Sequence, residues 1–173
     1  MNTKTMEIAA LRERTIFDAD QNGYRLEFVG GLGVWEASPV LKHQRAVLRS
    51  QNSIRPAVTA ESGCGCVHYA DLQVRFADGS LKRPDIAVFC REPDEQDAAV
   101  TLQPEAVIEI LSRGYEAKDL EIGVPFYRRM HVKDIIVLDP DTDAVLHWAG
   151  QLPARELTSP VEITLQCGCR CTV

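Results

Sequence analysis

No run of apolar residues in this 173-residue chain approaches the ~20 needed for a helix to cross a bilayer, so no helical membrane anchor is expected. Residues 1–20 carry mixed charge and lack the basic-then-apolar layout of a signal peptide, which argues against export and predicts a cytoplasmic protein. A basic surplus is missing too. The 19 Lys and Arg against 25 Asp and Glu give a net charge of -6, so bulk electrostatics supply no grip on nucleic acid and any basic face must be local. Internal repeats, low-complexity tracts and linker compositions are also absent. What is present, 45% hydrophobic and 25% charged residues, predicts one domain spanning residues 1–173 with a sizeable core.

Periodicity places the elements. Residues 3–15 read as a short helix with Met6, Ala9, Ala10 and Ile16 on one stripe. Alternating apolar residues on either side of Gly30-Gly31 predict a hairpin, and no helix start follows that would make the glycines a phosphate cradle. Ser38-Pro39 predicts a helix start, the helix running to about Asn52 with Val40, Leu41, Val47 and Leu48 toward the core. Strands are expected over 67–76, 84–90 and 106–111, the first two joined by an Ala77-Asp78-Gly79-Ser80 turn as an antiparallel hairpin. Residues 54–65 and 91–103 read as loops. Gly123 and Pro125 split a helical stretch over 116–131. Strands over 132–138, 144–148 and 161–169 complete an α+β pattern, a mixed sheet with few helices.

Two carboxylates sit where burial is expected: Asp85 in Arg83-Pro84-Asp85-Ile86-Ala87-Val88-Phe89, and Glu109 in Ala106-Val107-Ile108-Glu109-Ile110-Leu111. A buried carboxylate needs a cation or a hydrogen-bond network. Two on neighbouring strands offer an oxygen site for a hard divalent ion, which lowers the pKa of a bound water and neutralises charge building on a phosphate.

The order Tyr-Arg-Leu-Glu-Phe-Val-Gly-Gly, Ser-Pro…His-Gln, Arg-Pro-Asp-Ile-Ala-Val, Val-Ile-Glu-Ile-Leu-Ser, Asp…Tyr…Val and Ile-Val-Leu-Asp-Pro resembles the restriction endonuclease family catalogued as domain of unknown function 820. That family is a branch of the PD-(D/E)XK nuclease superfamily. The resemblance covers roughly residues 24–148. It implies a restriction-endonuclease-like central mixed sheet with flanking helices and an N-terminal hairpin. It further implies Asp85 and Glu109 as magnesium or manganese ligands, Glu27 as an additional acidic residue nearby, and DNA as the substrate. The lysine usual in the family aligns with Gly123 when Glu109, Ser112, Asp119 and Tyr127 are matched. A glycine does no electrostatic work, so Lys118 is the cation proposed in its stead, with Arg113 as another.

Simpler readings stand beside these. Asp85 after a proline is an ordinary strand-entry residue, and Glu27 and Glu109 can point outward by alternation. His43 reads as exposed. Lys42, Arg45 and Arg49, and likewise Lys82 and Arg83, read as solvated surface that can meet phosphates. The six cysteines, Cys64, Cys66, Cys90, Cys167, Cys169 and Cys171, read as reduced thiols, packed as small apolar groups in preference to a zinc site, whose usual spacing is wider than Cys-x-Cys. Two functional classes follow: a metal-dependent endonuclease with an altered site, or a catalytically inactive nuclease-fold protein that binds a partner, such as a second copy in a homodimer.

Overall fold

The computed structural model describes residues 3–36, 39–57, 63–94 and 99–173, with the side chains of residues 3–6 and Ala9 outside the description. The chain opens with helix α1 (Thr3–Gln21), longer than the expected 3–15. Strands β1 (Arg25–Val29) and β2 (Leu32–Glu36) follow as the expected hairpin about Gly30-Gly31, both glycines at positive φ. Ser38 lies outside the described residues. Helix α2 (Leu41–Ser53) begins later than Pro39, with Val40 extended ahead of it. Its buried residues are His43, Ala46, Val47 and Ser50, while Val40, Leu41 and Leu48 are exposed, so the face differs from the expected one by a rotation that brings His43 inward.

Short strand β3 (Arg55–Pro56) precedes β4 (Val67–Ala70), β5 (Val74–Arg75), β6 (Leu81–Lys82) and β7 (Ile86–Phe89). These four form one long antiparallel hairpin that two sheets share. Its tip, β5 with β6, joins the N-terminal hairpin in the order β2-β1-β6-β5. Its base, β4 with β7, belongs to the large sheet. The single strand expected over 67–76 is broken at Asp71, whose φ of 58° turns the chain between the sheets. The loop expectations at 54–65 and 91–103 fall partly outside the description, at 58–62 and 95–98.

Strand β8 (Ala106–Ile110) leads through a π-helical turn, Lys118–Gly123, into α3 (Val124–Arg129) and back to β9 (Asp134–Leu138). The predicted interruption is real: Pro125 sits in the first turn of α3, where its missing N–H is harmless. β8 and β9 pair parallel, as a helical crossover requires, and the other ladders of the large sheet are antiparallel. With β10 (Ala144–Ala149) and β11 (Arg155–Thr158) the order is β11-β10-β9-β8-β7-β4. β7, β8 and β9 are buried at every residue, which accounts for their nearly unbroken apolar sequence. The strand expected over 161–169 is instead two, β12 (Glu162–Thr164) and β13 (Cys169–Thr172), because Gly168 at φ 90° reverses the chain.

α2 and the C-terminal hairpin cover one face of the large sheet, over Ile86, Val88, Ile108, Ile136 and Leu138. The crossover covers the other, where Phe126 and Tyr127 pack on Ala87, Val107 and Val137. Among the described residues, no helix is long and apolar enough to cross a membrane. The cysteines depart from the reduced-thiol expectation: Cys64 pairs with Cys90 and Cys66 with Cys169 as disulfides, while Cys167 and Cys171 are free and buried. Folding brings together thiols up to 103 residues apart, which spacing alone did not disclose.

Candidate active site

Where the two sheets meet, strand register gathers the acidic side chains. β7 pairs with β8 so that Ile86 lies opposite Ile108, and one step further Asp85 faces Glu109. Asp85 ends the ladder with its side chain: the Ile110 N–H donates to Asp85 Oδ2 at 2.7 Å, and the Asp85 N–H donates to Glu109 Oε2 at 3.1 Å. Tyr127 on α3 donates its hydroxyl to Glu109 Oε1 at 2.6 Å. Glu109 is only 1% exposed, so the outward-pointing alternative is excluded. Burial, reinforced by Asp119, pushes its pKa up to about 8.

The N-terminal hairpin brings the next pair. Its register sets Glu27 opposite Val34 and Arg25 opposite Glu36, so Glu27 and Glu36 are diagonal neighbours on one face. Glu27 is also buried. It accepts from Lys82 Nζ at 2.5 Å and from the Arg83 N–H at 2.6 Å. Burial alone would raise its pKa; Lys82, Lys118 and the Arg83 N–H outweigh that and hold it down to about 2. Glu36 is driven the other way, up to about 8, by burial and by the charge of Glu27. One carboxylate keeps its charge and its neighbour keeps a proton.

Lys118 and Asp119 come from the π-helical turn, a distortion that is frequent at functional sites. The Lys118 ammonium lies 3.0 Å from Asp119 Oδ1 and 3.3 Å from Glu36 Oε1. Glu36, His43, Asp85, Ile110, Ser112, Lys118 and Asp119 line a cavity of about 20 Å³, room for one water or ion. A larger groove of about 530 Å³, near Leu111, Leu146 and Leu157, shares none of these residues and has no lysine or histidine in its walls.

The four anticipated residues, Asp85, Glu109, Glu27 and Lys118, thus converge. Arg113 does not: its side chain is 87% exposed and reaches Asp141 at 3.4 Å. Two surface readings are corrected. His43 is buried, and its Nε2 lies 3.2 Å from Asp85 Oδ2. Burial opposes its charge, but Asp85 and Glu109 prevail and raise its pKa. Lys82 is fully buried between Glu27 and the Tyr127 ring, its Nζ 5.3 Å from the ring centroid. Glu36 and Asp119 also went unassigned. Only the hairpin register, with Glu36 opposite Arg25, pointed to the first.

The donor set fits a hard divalent ion. Asp85 and Glu109 are oxygen ligands fixed by backbone and tyrosine donors, each with lone pairs to spare. Five carboxyl groups (Glu27, Glu36, Asp85, Glu109, Asp119) stand against the ammonium groups of Lys82 and Lys118. A cation relieves that excess.

A search of curated proteins finds no match. Among solved structures, the chain is similar to a "putative nuclease belonging to DUF820" from Anabaena variabilis ATCC 29413, with 20% identity over 80% of each chain and a TM-score of 0.57. That likeness concerns the fold. The family model described as "Putative restriction endonuclease" matches residues 10–166, nearly the whole chain, including every side chain of the site. By that match the chain belongs to the Uma2 family.

Proposed function

We propose that this chain is a magnesium- or manganese-dependent endonuclease that hydrolyses phosphodiester bonds in DNA. The observation that carries the reading is Asp85 on the wall of a one-ion cavity that it shares with Lys118, with the buried Glu109 carboxylate held just behind it by the Asp85 N–H. Asp85 and Glu109 would hold the metal, which when bound acidifies a water and screens charge building on the phosphate. Ile110 N–H and Tyr127 OH fix the two carboxylates in advance. Lys118, its charge secured by Glu27 and Glu109 against burial, donates hydrogen bonds into the cavity, toward a water or a phosphate oxygen. Glu36, holding its proton up to about pH 8, exchanges a proton with a cavity water. Arg45, exposed on α2 close to His43, offers local positive charge for a DNA backbone despite the acidic total, whereas Lys42 is paired with Asp141 at 2.7 Å.

A second reading, a catalytically inactive family member that binds a partner or dimerises, is favoured by one observation. Lys118 is already engaged by Glu36 and Asp119. Plasmid cleavage in magnesium or manganese separates the two. The nuclease reading expects cleavage that Asp85→Ala and Glu109→Ala abolish. No cleavage by the wild type, with no divalent-ion binding by calorimetry, sinks it.

A further inference from the structure

Five cysteines meet on the face of the large sheet opposite Glu109, and the nuclease reading uses none of them. Cys64 and Cys66 lie just before β4, Cys90 just after β7, and Cys167 and Cys169 on either side of the Gly168 turn. Their sulfurs form two overlapping triads, Cys64–Cys66–Cys169 and Cys64–Cys90–Cys167, the atoms within each lying within 4.8 Å of one another. Two independent disulfides have no reason to stack sulfur on sulfur. These do: Cys64 Sγ lies 3.5 Å from Cys169 Sγ, which links the two bonded pairs into one unbroken group. With zinc–sulfur bonds of about 2.3 Å, tetrahedral geometry sets ligand sulfurs about 3.8 Å apart, close to this unbonded separation.

The backbone is shaped to the cluster. Cys66 adopts φ 50°, rare for a residue with a side chain, and Gly168 adopts φ 90°, so both Cys-Gly-Cys segments turn back on themselves. This geometry lets paired cysteines one residue apart face a common centre, which extended strands forbid because alternate residues there run in a row. Cys66 and Cys169 are buried while Cys64 and Cys90 are half-buried, giving a closed site that is reachable from solvent.

We propose that, in its reduced form, the chain binds a structural zinc ion through Cys64, Cys66 and Cys169, with the fourth thiolate supplied by the adjoining Cys64–Cys90–Cys167 triad. The metal and disulfide states exclude one another. Two equivalents of a dithiol reductant supply four electrons and four protons that open the two S–S bonds, and the dithiols leave as disulfides. Zinc then displaces the four thiol protons. Cys171 belongs to neither triad and takes no part in the site. Bound zinc would clamp the C-terminal hairpin to the segment before β4, one face away from the nuclease site.

The test is metal analysis of the full chain, purified under reducing conditions without chelator, together with cobalt substitution. About one zinc per chain is expected. So is an intense near-ultraviolet thiolate-to-cobalt absorption in the wild type, a readout independent of how any variant folds. Cys66→Ser and Cys169→Ser should lose the metal; Cys171→Ser, outside both triads, should retain it. Zinc near zero in the reduced chain overturns the proposal, as does metal content indifferent to Cys66→Ser and Cys169→Ser.

Discussion

Lys82 occupies the space into which a side chain at Gly123 would project. A Cβ there would lie 3.9 Å from Lys82 Nζ and 3.3 Å from the Lys118 carbonyl oxygen. The glycine at the position where the family resemblance leads one to expect lysine is therefore neighboured by Lys82, reaching the same place from β6. Gly123→Lys is expected to destabilise the fold by about 1–3 kcal/mol through crowding and like charge. Combining it with Lys82→Met should recover part of that loss, with a coupling of about 0.5–3 kcal/mol in urea unfolding. Strict additivity of the two changes would refute the idea that they compete for one space.

The Lys82–Glu27 pair is sealed from solvent, so breaking it leaves one buried charge alone. Lys82→Met should lower unfolding free energy by about 3–5 kcal/mol, and Lys82→Met with Glu27→Gln by clearly less. Chemical denaturation of the two variants against wild type measures both.

Divalent-ion binding at Asp85 and Glu109 should be visible in stability without any cleavage assay. Magnesium at about 100 times its dissociation constant should raise unfolding free energy by about 2.7 kcal/mol in the wild type. Asp85→Asn should abolish the increment. A wild-type transition unmoved by magnesium or manganese counts against the metal site.

Glu36 makes a pH-dependent contribution whose sign follows from its raised pKa. Between the ordinary value of 4.5 and about 8, the folded chain holds a proton that the unfolded chain has released. Stability from this group is therefore full below pH 4.5 and lost as pH rises toward 8. Glu36→Gln, which cannot ionise, should flatten the decline and gain roughly 1–2 kcal/mol over wild type at pH 8 relative to pH 5. Thermal unfolding of both proteins across that range reads the difference.

Much of this was legible in the chain itself. The apolar runs of β7, β8 and β9 read as strands, and the two carboxylates, Asp85 at the edge of one run and Glu109 inside another, pointed to the candidate site. Gly123 and Pro125 announced the split crossover. His43 and Lys82 were not legible: each sits among charged neighbours that mimic a solvent face, and only the packing of α2 on the sheet and of β6 under the N-terminal hairpin inverts them. The break at Asp71 was hidden too, since a strand passing from one sheet to another keeps its alternation through the bend. The cysteine pairing depended on contacts across 103 residues, beyond the reach of any local pattern.

The hairpin shared by the two sheets has a consequence for what can be removed. Lys82 ends its tip and Asp85 begins its base, with only Arg83 and Pro84 between them. The N-terminal hairpin therefore supplies the counter-charge, Glu27, for a lysine covalently tied to the proposed metal ligand. A fragment beginning after Glu36 would keep Asp85, Glu109 and Lys118, yet carry a stranded ammonium beneath them. The first 36 residues are thus an electrostatic part of the site, not an appendage to it.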